Sequence, residues 1–324
     1  MTAAALSPGR SNLHRFLSGY GQEIVVLLSI VALFVVVGAI NHRFLSDTNI
    51  NSIFAGNAYI AIAAIGMSMV IIAGHIDVSV GALIGVIATI AGTLAVSGYP
   101  IWVAWTVPIL FAIAVNAGVG TLVAYTRIPS IVVTLGMLSI LKGGLISATA
   151  GEWISNLPPE FMIAQMRPFG IPSAVWFMVA LTIIASLFLR YTDFGRSIYA
   201  VGGNMEAARA AGINPERTVI GVFALHGLFA GIAGILFATQ LQVIQSTVPP
   251  NLELTVITAS VIGGVSILGG TGTVIGSTLA AILFACIGSA LIFLNVSAYW
   301  LRAVLGLMIL ATVLADMARR RRAK

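Results

Sequence analysis

Charge is scarce in this sequence. Only 8% of the 324 residues are Asp, Glu, Lys or Arg, whereas 59% are hydrophobic and the mean hydropathy is +1.06. Soluble domains carry about 25% charged residues, so a soluble fold of this composition would expose large apolar patches to water. The composition therefore excludes an ordinary soluble domain and predicts a polytopic membrane protein.

Cysteine and catalytic patterns are scarcer still. Cys286 is the single cysteine and lies inside an apolar run, so an intrachain disulfide is impossible and the redox compartment stays open. No G-x-x-x-x-G-K-S/T pattern occurs, and no Cys/His cluster or Ser/His/Asp arrangement indicates catalysis. Acidic residues within the apolar runs are too few for an obvious proton or sodium relay. We therefore expect a protein that is not an enzyme and that holds neither a metal nor a cofactor of its own.

Long apolar runs, in contrast, are abundant. Ten runs approach the ~20 residues that a helix needs to cross a bilayer; the eighth is short and flanked by glycine, so we predict eight to ten transmembrane helices. The runs cover residues 24–40, 53–73, 80–97, 101–122, 130–149, 173–190, 219–238, 254–268, 273–294 and 300–317. Arg10 and Arg15 precede the first run as in a signal peptide, but its length and the lack of a clear cleavage site favour an uncleaved span.

The basic residues set the predicted orientation. The net charge of +6 and the pI near 9.9 do not indicate nucleic-acid binding, because Lys and Arg concentrate in short loops and in the C-terminal tail. With the N-terminus in the cytoplasm, twelve of the sixteen basic residues, Arg127 among them, lie inside. Arg43, Arg167 and Arg302 lie outside, and Lys142 lies within a span. The positive-inside rule then places both termini in the cytoplasm.

The domain organisation follows from this orientation. We expect a cytoplasmic N-terminal segment over residues 1–23, a single transmembrane domain over 24–317 and a basic cytoplasmic tail over 318–324. A division near residue 172 leaves five spans on each side that begin from opposite faces, which predicts a 5+5 inverted repeat with a substrate path at the repeat interface. Each half contains a glycine-bounded turn between two apolar runs, at Gly74–Gly81 and Gly263–Gly272, and we take these turns as support for the repeat.

The longest polar stretch, residues 191–218, falls on the cytoplasmic side. Asn204 can cap a short helix, and Gly212 can end it in a left-handed conformation. Glu206 would then occupy the positive first turn of that helix. Asn214, with the proline that follows it, predicts the start of the next span. A stretch with these signals is predicted to be folded and not a disordered loop.

Several polar residues lie within or beside the apolar runs, where a charge is costly and marks a functional site. Asp77 either caps the next helix, together with Ser79, or faces a substrate path. Lys142 lies about midway along its span, so a water-lined cavity or a broken helix at Gly143–Gly144 would accommodate its ammonium group. The weaker polar candidates are Asn57, Asn116, His226 and Gln240, since one polar residue in a span more often bonds a neighbouring helix.

Small residues predict close helix packing in the membrane. Three G-x-x-x-G pairs, Gly81/Gly85, Gly227/Gly231 and Gly272/Gly276, would let helices approach each other closely in lipid. We interpret these glycines as packing positions that say nothing about the substrate.

Several sequence blocks resemble one family of transporters. Within residues 191–218, Glu206, Ala207, Ala208 and Gly212 form an E-A-A-x-x-x-G pattern that resembles the coupling loop of ABC importer permeases. The blocks GHIDVSVG, RIPSIVVTLG, TDFGRSIYAVGGN and GGVSILGGTGTVIG are similar, in the same order, to those of the ribose, arabinose, xylose, rhamnose and autoinducer-2 permeases. The outer loop GEWISNLPPEF is most similar to the rhamnose and autoinducer-2 branch. The resemblance runs from about residue 50 to the C-terminus.

This resemblance implies the permease subunit of an ABC importer in the bacterial cytoplasmic (inner) membrane. The implied solute is a small sugar or sugar-like molecule: a pentose, a deoxyhexose such as rhamnose, or autoinducer-2. The implied partners, besides lipid, are a cytoplasmic ABC ATPase that hydrolyses the ATP, a second permease copy or paralogue, and an extracytoplasmic solute-binding protein. The residues implied in coupling to the ATPase are Gly195, Arg196, Asn204, Glu206, Ala207, Ala208 and Gly212. The candidates for the substrate pathway are Asn57, Asp77, Ser79, Asn116 and Lys142.

Two departures from the family pattern weaken any inference about the solute. His75 stands where many members have glycine, and Val119–Gly120 stands where many have Asn-Gly, with Asn116 one helical turn earlier. A branched-chain amino-acid ABC permease, which has a related topology, is the alternative within the class. An ATP-independent secondary transporter or channel is the alternative outside it, because inverted halves are equally compatible with that mechanism.

Overall fold

The computed structural model describes residues 8–126, 128–240, 242–297 and 299–323, and most of this part of the chain is helical. The predicted all-α polytopic fold is confirmed. Arg127 and Lys324, both assigned to the cytoplasmic side from the sequence, lie outside the described residues.

Thirteen α-helices and one pair of short strands follow one another in the described ranges. The helices are α1 (Pro8–Ile40), α2 (Asp47–Gly56), α3 (Ala58–Ile72), α4 (Val80–Val96), α5 (Ile101–Thr126), α6 (Ser130–Thr149), α7 (Ser173–Tyr191), α8 (Asp193–Gly203), α9 (Met205–Ala210), α10 (Pro215–Ala238), α11 (Leu252–Ile262), α12 (Val274–Phe293) and α13 (Trp300–Ala323). The strands are β1 (Trp153–Ile154) and β2 (Ile244–Gln245).

The helices follow the predicted apolar runs closely. Among the described residues, seven segments are long and apolar enough to cross a membrane: Gly21–Ile40 in α1, Asp47–Ile72 across α2 and α3, and the whole of α5, α6, α7, α10 and α12. Two further apolar helices, α4 and α11, have 17 and 11 residues. The eighth run ends earlier than predicted, because α11 ends at Ile262 and Gly264 then turns the backbone to a φ of +97°. The exact number of spans stays a prediction.

Glycine allows the central helix, α10, to pack closely against α3, α4 and α5. A Cβ atom at Gly227 would lie 2.5 Å from the Ala112 carbonyl oxygen of α5, and one at Gly231 would lie 3.0 Å from the Cα atom of Ile109. On the α4 side, a Cβ atom at Gly234 would lie 2.5 Å from the Ile87 side chain. The predicted packing role of this G-x-x-x-G pair is confirmed.

Loop contacts identify the two ends of the bundle. β1 pairs antiparallel with β2, so the loops around residues 150–172 and 239–251 meet at one end. The other end carries α8 and α9 together with two non-helical connections: the first turn, residues 73–79 between α3 and α4, and the second turn, residues 263–273 between α11 and α12. This grouping of loops agrees with the sides that the charge distribution predicts.

The two turns contact each other, which corrects one inference from the sequence. The Gly270 N–H of the second turn donates a hydrogen bond to the Ile72 carbonyl at the end of α3, at 2.8 Å. Elements related by an inverted repeat lie at opposite faces of the membrane, whereas these turns share one end. The interpretation of the two turns as repeat equivalents was wrong, and the 5+5 repeat stays a proposal without their support.

Candidate functional site

The polar segment between α7 and α10 contains the helix that the sequence predicted. The Ala207 N–H donates a hydrogen bond to Asn204 Oδ1 at 3.0 Å, which caps α9. Glu206 lies in the first turn, and Gly212 follows the helix with a φ of +86°. The predicted cap and the predicted left-handed stop are both confirmed.

The side chains of α9 divide into an exposed and a packed set. Glu206 and Ala207 are exposed, whereas Ala208 is only 4% exposed and packs inward. Arg209 forms an ion pair with Glu216 in the first turn of α10. Ala208 and the Arg209–Glu216 ion pair therefore hold this short helix against the protein, and Glu206 and Ala207 face outward.

The structure adds α8, which the sequence analysis did not recognise as a helix. The Gly195 N–H donates a hydrogen bond to Thr192 Oγ1 at 3.0 Å and so caps its start. Gly195 is buried against α7, where a Cβ atom would lie 2.5 Å from the Phe188 carbonyl oxygen. Arg196 is exposed and forms an ion pair with Asp193. Gly195 and Arg196, which the resemblance grouped with the coupling residues, thus belong to a helix beside α9.

A periodic signal for α8 was present in the sequence. Gly195, Ile198 and Val201 recur every three residues and form its buried face. The glycines at both ends obscured this pattern, because glycine disfavours a helix unless close packing requires it.

A second candidate site is a cluster of four fully buried polar side chains at the first turn, Asp77, Ser79, Asn116 and His226. The Ser79 N–H and hydroxyl donate to Asp77 Oδ1 at 2.8 and 2.6 Å. In the amide orientation that satisfies its neighbours, Asn116 donates from Nδ2 to Asp77 Oδ2 at 3.1 Å and accepts from the Gly227 N–H at 3.2 Å. His226 Nε2 lies 3.4 Å from Asp77 Oδ2.

This Asp77 cluster joins three elements that are distant in sequence. Asp77 and Ser79 belong to the first turn, Asn116 to α5 and His226 to α10. Both carboxylate oxygens have polar neighbours, so Asp77 can hold the first turn in place without a further ligand. The Ser79 side chain makes no capping hydrogen bond to α4, and Asp77 accepts from Ser79 and not from the first turn of the helix. The geometry therefore favours a structural role of Asp77 in the first turn, and the predicted side-chain cap of α4 was wrong. Sequence reasoning ranked His226 as a weak candidate, because its proximity to Asp77 depends on the tertiary fold.

Two further backbone donors of the first turn are satisfied by side chains of α6. The Ile76 N–H donates to Ser130 Oγ and the Val78 N–H to Thr134 Oγ1, each at 3.1 Å. Non-helical backbone at membrane depth is tolerated only when protein satisfies its polar groups. The first turn meets that condition.

A cavity of about 540 Å³ lies beside the first turn. Its lining includes His75, Pro129 at the start of α6, Met205 of α9 and Glu216 of α10. Burial lowers the pKa of His75, so its imidazole is neutral at physiological pH. No group of three or more His, Cys, Asp or Glu side chains suited to a metal occurs in the described part of the chain.

Two of the predicted pathway residues lie apart from the cluster. Asn57 forms the kink between α2 and α3, where its Nδ2 donates to the Ile53 carbonyl at 3.2 Å. Lys142 is exposed on α6, and most of this helix is exposed on the isolated chain. The structure therefore brings Asp77, Ser79 and Asn116 together and leaves Asn57 and Lys142 outside.

Comparison with known proteins identifies the family. Residues 49–313 match the family described as branched-chain amino acid transport system, permease component. The autoinducer 2 import system permease protein LsrC of Salmonella typhi is 37% identical over 296 residues, which cover 91% of this chain and 85% of the relative. LsrC of Escherichia coli O9:H4 is 36% identical over the same length, with 86% of the relative covered. No solved structure was found to match.

These matches confirm the permease predicted from the sequence blocks, and they confirm a transporter component in place of an enzyme. They also favour the sugar-type prediction over the branched-chain amino-acid alternative, because the relatives are import permeases for autoinducer 2. The chain belongs to the permease family of branched-chain amino acid type transport systems, and within it to the sugar-type ABC importer permeases of the autoinducer-2 branch.

Proposed function

We propose that this chain imports autoinducer-2, or a closely related small sugar-like solute, across the bacterial cytoplasmic membrane. The observation that carries the proposal is the similarity to autoinducer 2 import permeases over 91% of the chain. The sequence has no phosphate-binding loop, so the energy has to come from a separate ATPase.

The ATPase is proposed to dock on α9. This helix has six residues, and a cap, a left-handed stop and the inward-packed Ala208 fix its position. Such a rigid projection can fill a groove on a partner. Glu206 and Ala207 are exposed on this projection, as are Met205, Arg209 and Ala210, and the Arg209–Glu216 ion pair ties it to α10. We assign Asn204 and Gly212 to shaping α9 and Glu206 and Ala207 to the contact itself.

A second permease copy or paralogue is proposed to cover α6. Lys142 lies about midway along this helix and is exposed on the isolated chain, although an ammonium group facing lipid is costly. A neighbouring permease, with a water-filled path between the two chains, would remove that cost. Lys142 would then face the path of the solute, whose hydroxyl groups can also be met by amides, hydroxyls and backbone groups.

The extracytoplasmic solute-binding protein is proposed to dock at the opposite end of the bundle. That end contains the β1–β2 pair and a cleft of about 650 Å³ lined by uncharged polar and apolar residues of both loops, Asn156, Gln165 and Gln242 among them. Trp153 is 64% exposed there and suits either an interfacial anchor or this contact. We also propose eight to ten spans with both termini in the cytoplasm. The transmembrane domain would cover residues 24–317 and the coupling segment residues 191–218.

Uptake by the complete importer tests the proposed solute. The permease, its ATPase and its solute-binding protein are reconstituted in liposomes, and labelled autoinducer-2, rhamnose, ribose and leucine are compared with and without internal ATP. ATP-dependent accumulation of autoinducer-2 is the expected result. Accumulation of leucine alone would favour a branched-chain amino-acid permease. Transport by the isolated chain, driven only by an ion gradient, would establish a secondary transporter.

A further inference from the structure

The C-terminal end of α8 meets the first and second turns in a contact made of backbone. A Cβ atom at Gly202 would lie 1.7 Å from the Ile72 carbonyl oxygen at the end of α3. A Cβ atom at Gly269 would lie 2.8 Å from the Gly202 carbonyl oxygen, and one at Gly270 would lie 2.7 Å from the Cα atom of Gly203. We call Gly202, Gly269 and Gly270, with the Ile72 carbonyl, the glycine junction.

Hydrogen bonds fix the geometry of this junction. The Gly270 N–H donates to the Ile72 carbonyl at 2.8 Å, and the Tyr199 hydroxyl of α8 donates to the Gly272 carbonyl of the second turn at 2.9 Å. Burial raises the pKa of Tyr199, so the phenol stays protonated and remains a donor. α8 is thus tied to the second turn by a side chain, and by backbone contact to the second turn and to the end of α3, where the first turn begins.

α8 is also fastened to the helices around it. Gly195 lies against the end of α7, and the Phe194 ring lies so close to α10 that a Cβ atom at Gly221 would be 2.5 Å from it. α9 packs on α8 and α10, and the glycine junction is formed by α8. A displacement of α9 therefore has a direct route to the two turns through α8.

Backbone packed on backbone cannot absorb such a displacement by changing a rotamer. Close-packed interiors transmit strain, and non-helical connections between helices are positions where hinge motion occurs. The first turn carries Asp77, whose contacts with Asn116 and His226 extend to α5 and α10. A shift at the glycine junction therefore reaches the helices in the middle of the membrane.

We propose that α8 transmits the movement of the ATPase from α9 to the two turns, with Gly202 as the contact and Tyr199 as a positioning residue. This inference rests on the proposed function in one respect, the docking of the ATPase on α9. It assigns the transmission of movement to residues outside the E-A-A-x-x-x-G pattern.

A matched pair of glycine substitutions tests the contact. Gly202→Ala places a methyl group against the Ile72 carbonyl, whereas a Cβ atom at Gly203 would lie 3.9 Å from its nearest neighbour, Gly270 Cα, an ordinary contact. In the reconstituted importer, Gly202→Ala should retain ATPase co-purification and basal ATP hydrolysis. Its uptake per ATP hydrolysed should fall about tenfold. Gly203→Ala should resemble the unmodified protein, and equal damage by both variants would overturn the inference.

Tyr199→Phe tests the role of α8 independently, in case Gly202→Ala does not accumulate in the membrane. It removes one hydroxyl and one hydrogen bond, so uptake per ATP should fall about 2- to 10-fold. A merely structural role would lower the melting temperature of the complex and leave that ratio unchanged, and this result would contradict the inference.

Glu206→Lys separates this inference from the proposed function. Loss of ATPase co-purification in Glu206→Lys, with a normal ratio in Tyr199→Phe, would refute the role of α8 and retain docking on α9. Normal co-purification in Glu206→Lys, with a reduced ratio in Tyr199→Phe, would refute Glu206 as a contact of the ATPase and retain the role of α8.

Discussion

The carboxylate of Asp77 and the imidazole of His226 lie 3.4 Å apart, and both side chains are fully buried. Asp77 belongs to the first turn and His226 to α10, so this contact joins the two halves of the chain. Asn116 and Ser79 complete the polar surroundings of the carboxylate. Because removal of one member leaves the others buried and unpaired, the cluster should behave as a unit.

Substitution of Asp77 and His226 should therefore be strongly non-additive. His226→Gln removes the imidazole beside a buried carboxylate, and a buried polar group left without its partner costs about 1–3 kcal/mol. Asp77→Asn removes the charge and should cost less. In the double variant the two costs should overlap, with a coupling energy of roughly 0.5–3 kcal/mol.

Thermal and denaturant unfolding of the four purified permeases in detergent would measure this cycle. The Thr106→Ala variant is a suitable control, because Thr106 is exposed on α5 and its hydroxyl bonds only within its own helix. Strictly additive effects of Asp77→Asn and His226→Gln would show that the two side chains do not form a unit.

The conformation of Gly212 should matter for coupling although the residue has space around it. Its φ is +86° and no atom lies within 4 Å of a Cβ atom placed there. Gly212→Ala should therefore destabilise the α9 stop through the backbone alone, by roughly 1–2 kcal/mol. Gly212→Asn should be milder, since asparagine tolerates the left-handed region. The ratio of uptake to ATP hydrolysis should follow the order Gly, Asn, Ala, and an equal ratio for all three would argue against a shaped α9.

The sequence was most informative where a local rule decides the structure. The caps at Asn204 and Asn214 and the stop at Gly212 depend on residues within four positions, and the structure has all three. The apolar runs likewise predicted the helices, because length and hydropathy alone determine whether a helix can cross a bilayer. The family was predicted from blocks that extend over most of the chain.

The sequence was least informative where distant segments meet. The spacing of the buried residues of α8 was visible in the sequence, but the close packing of Gly195 and Gly202 against other segments, which accounts for glycine in this helix, was not. The contact of Asp77 with His226 depends on the fold in the same way. The two turns have similar sequence patterns, but whether an inverted repeat relates them depends on the end of the bundle at which each lies.

Close packing of α10 against α5 predicts a selective sensitivity of its glycines. Gly227→Ala places a methyl group 2.5 Å from the Ala112 carbonyl oxygen and should destabilise the permease by about 1–3 kcal/mol. Gly118→Ala, on α5 with no atom within 4 Å, should be neutral or slightly stabilising, by up to ~1 kcal/mol. Melting temperatures of the isolated permease in detergent distinguish the two, and a similar loss in both variants would contradict close packing as the cause.

Lys142 should be dispensable for folding but not for transport. Replacement of a mid-membrane lysine by leucine removes a cost of about 2.5–3.5 kcal/mol at a lipid-facing position, so Lys142→Leu should accumulate in the membrane at least as well as the unmodified chain. If Lys142 faces a water-filled path between two permeases, its loss should lower uptake about tenfold or more. Lys142→Arg, which keeps the charge, should retain much of the uptake.

A cysteine placed at position 142 should react with a membrane-impermeant maleimide in the assembled importer, and the buried Cys286 should not. Full uptake by Lys142→Leu, together with no labelling at position 142, would remove Lys142 from the path of the solute.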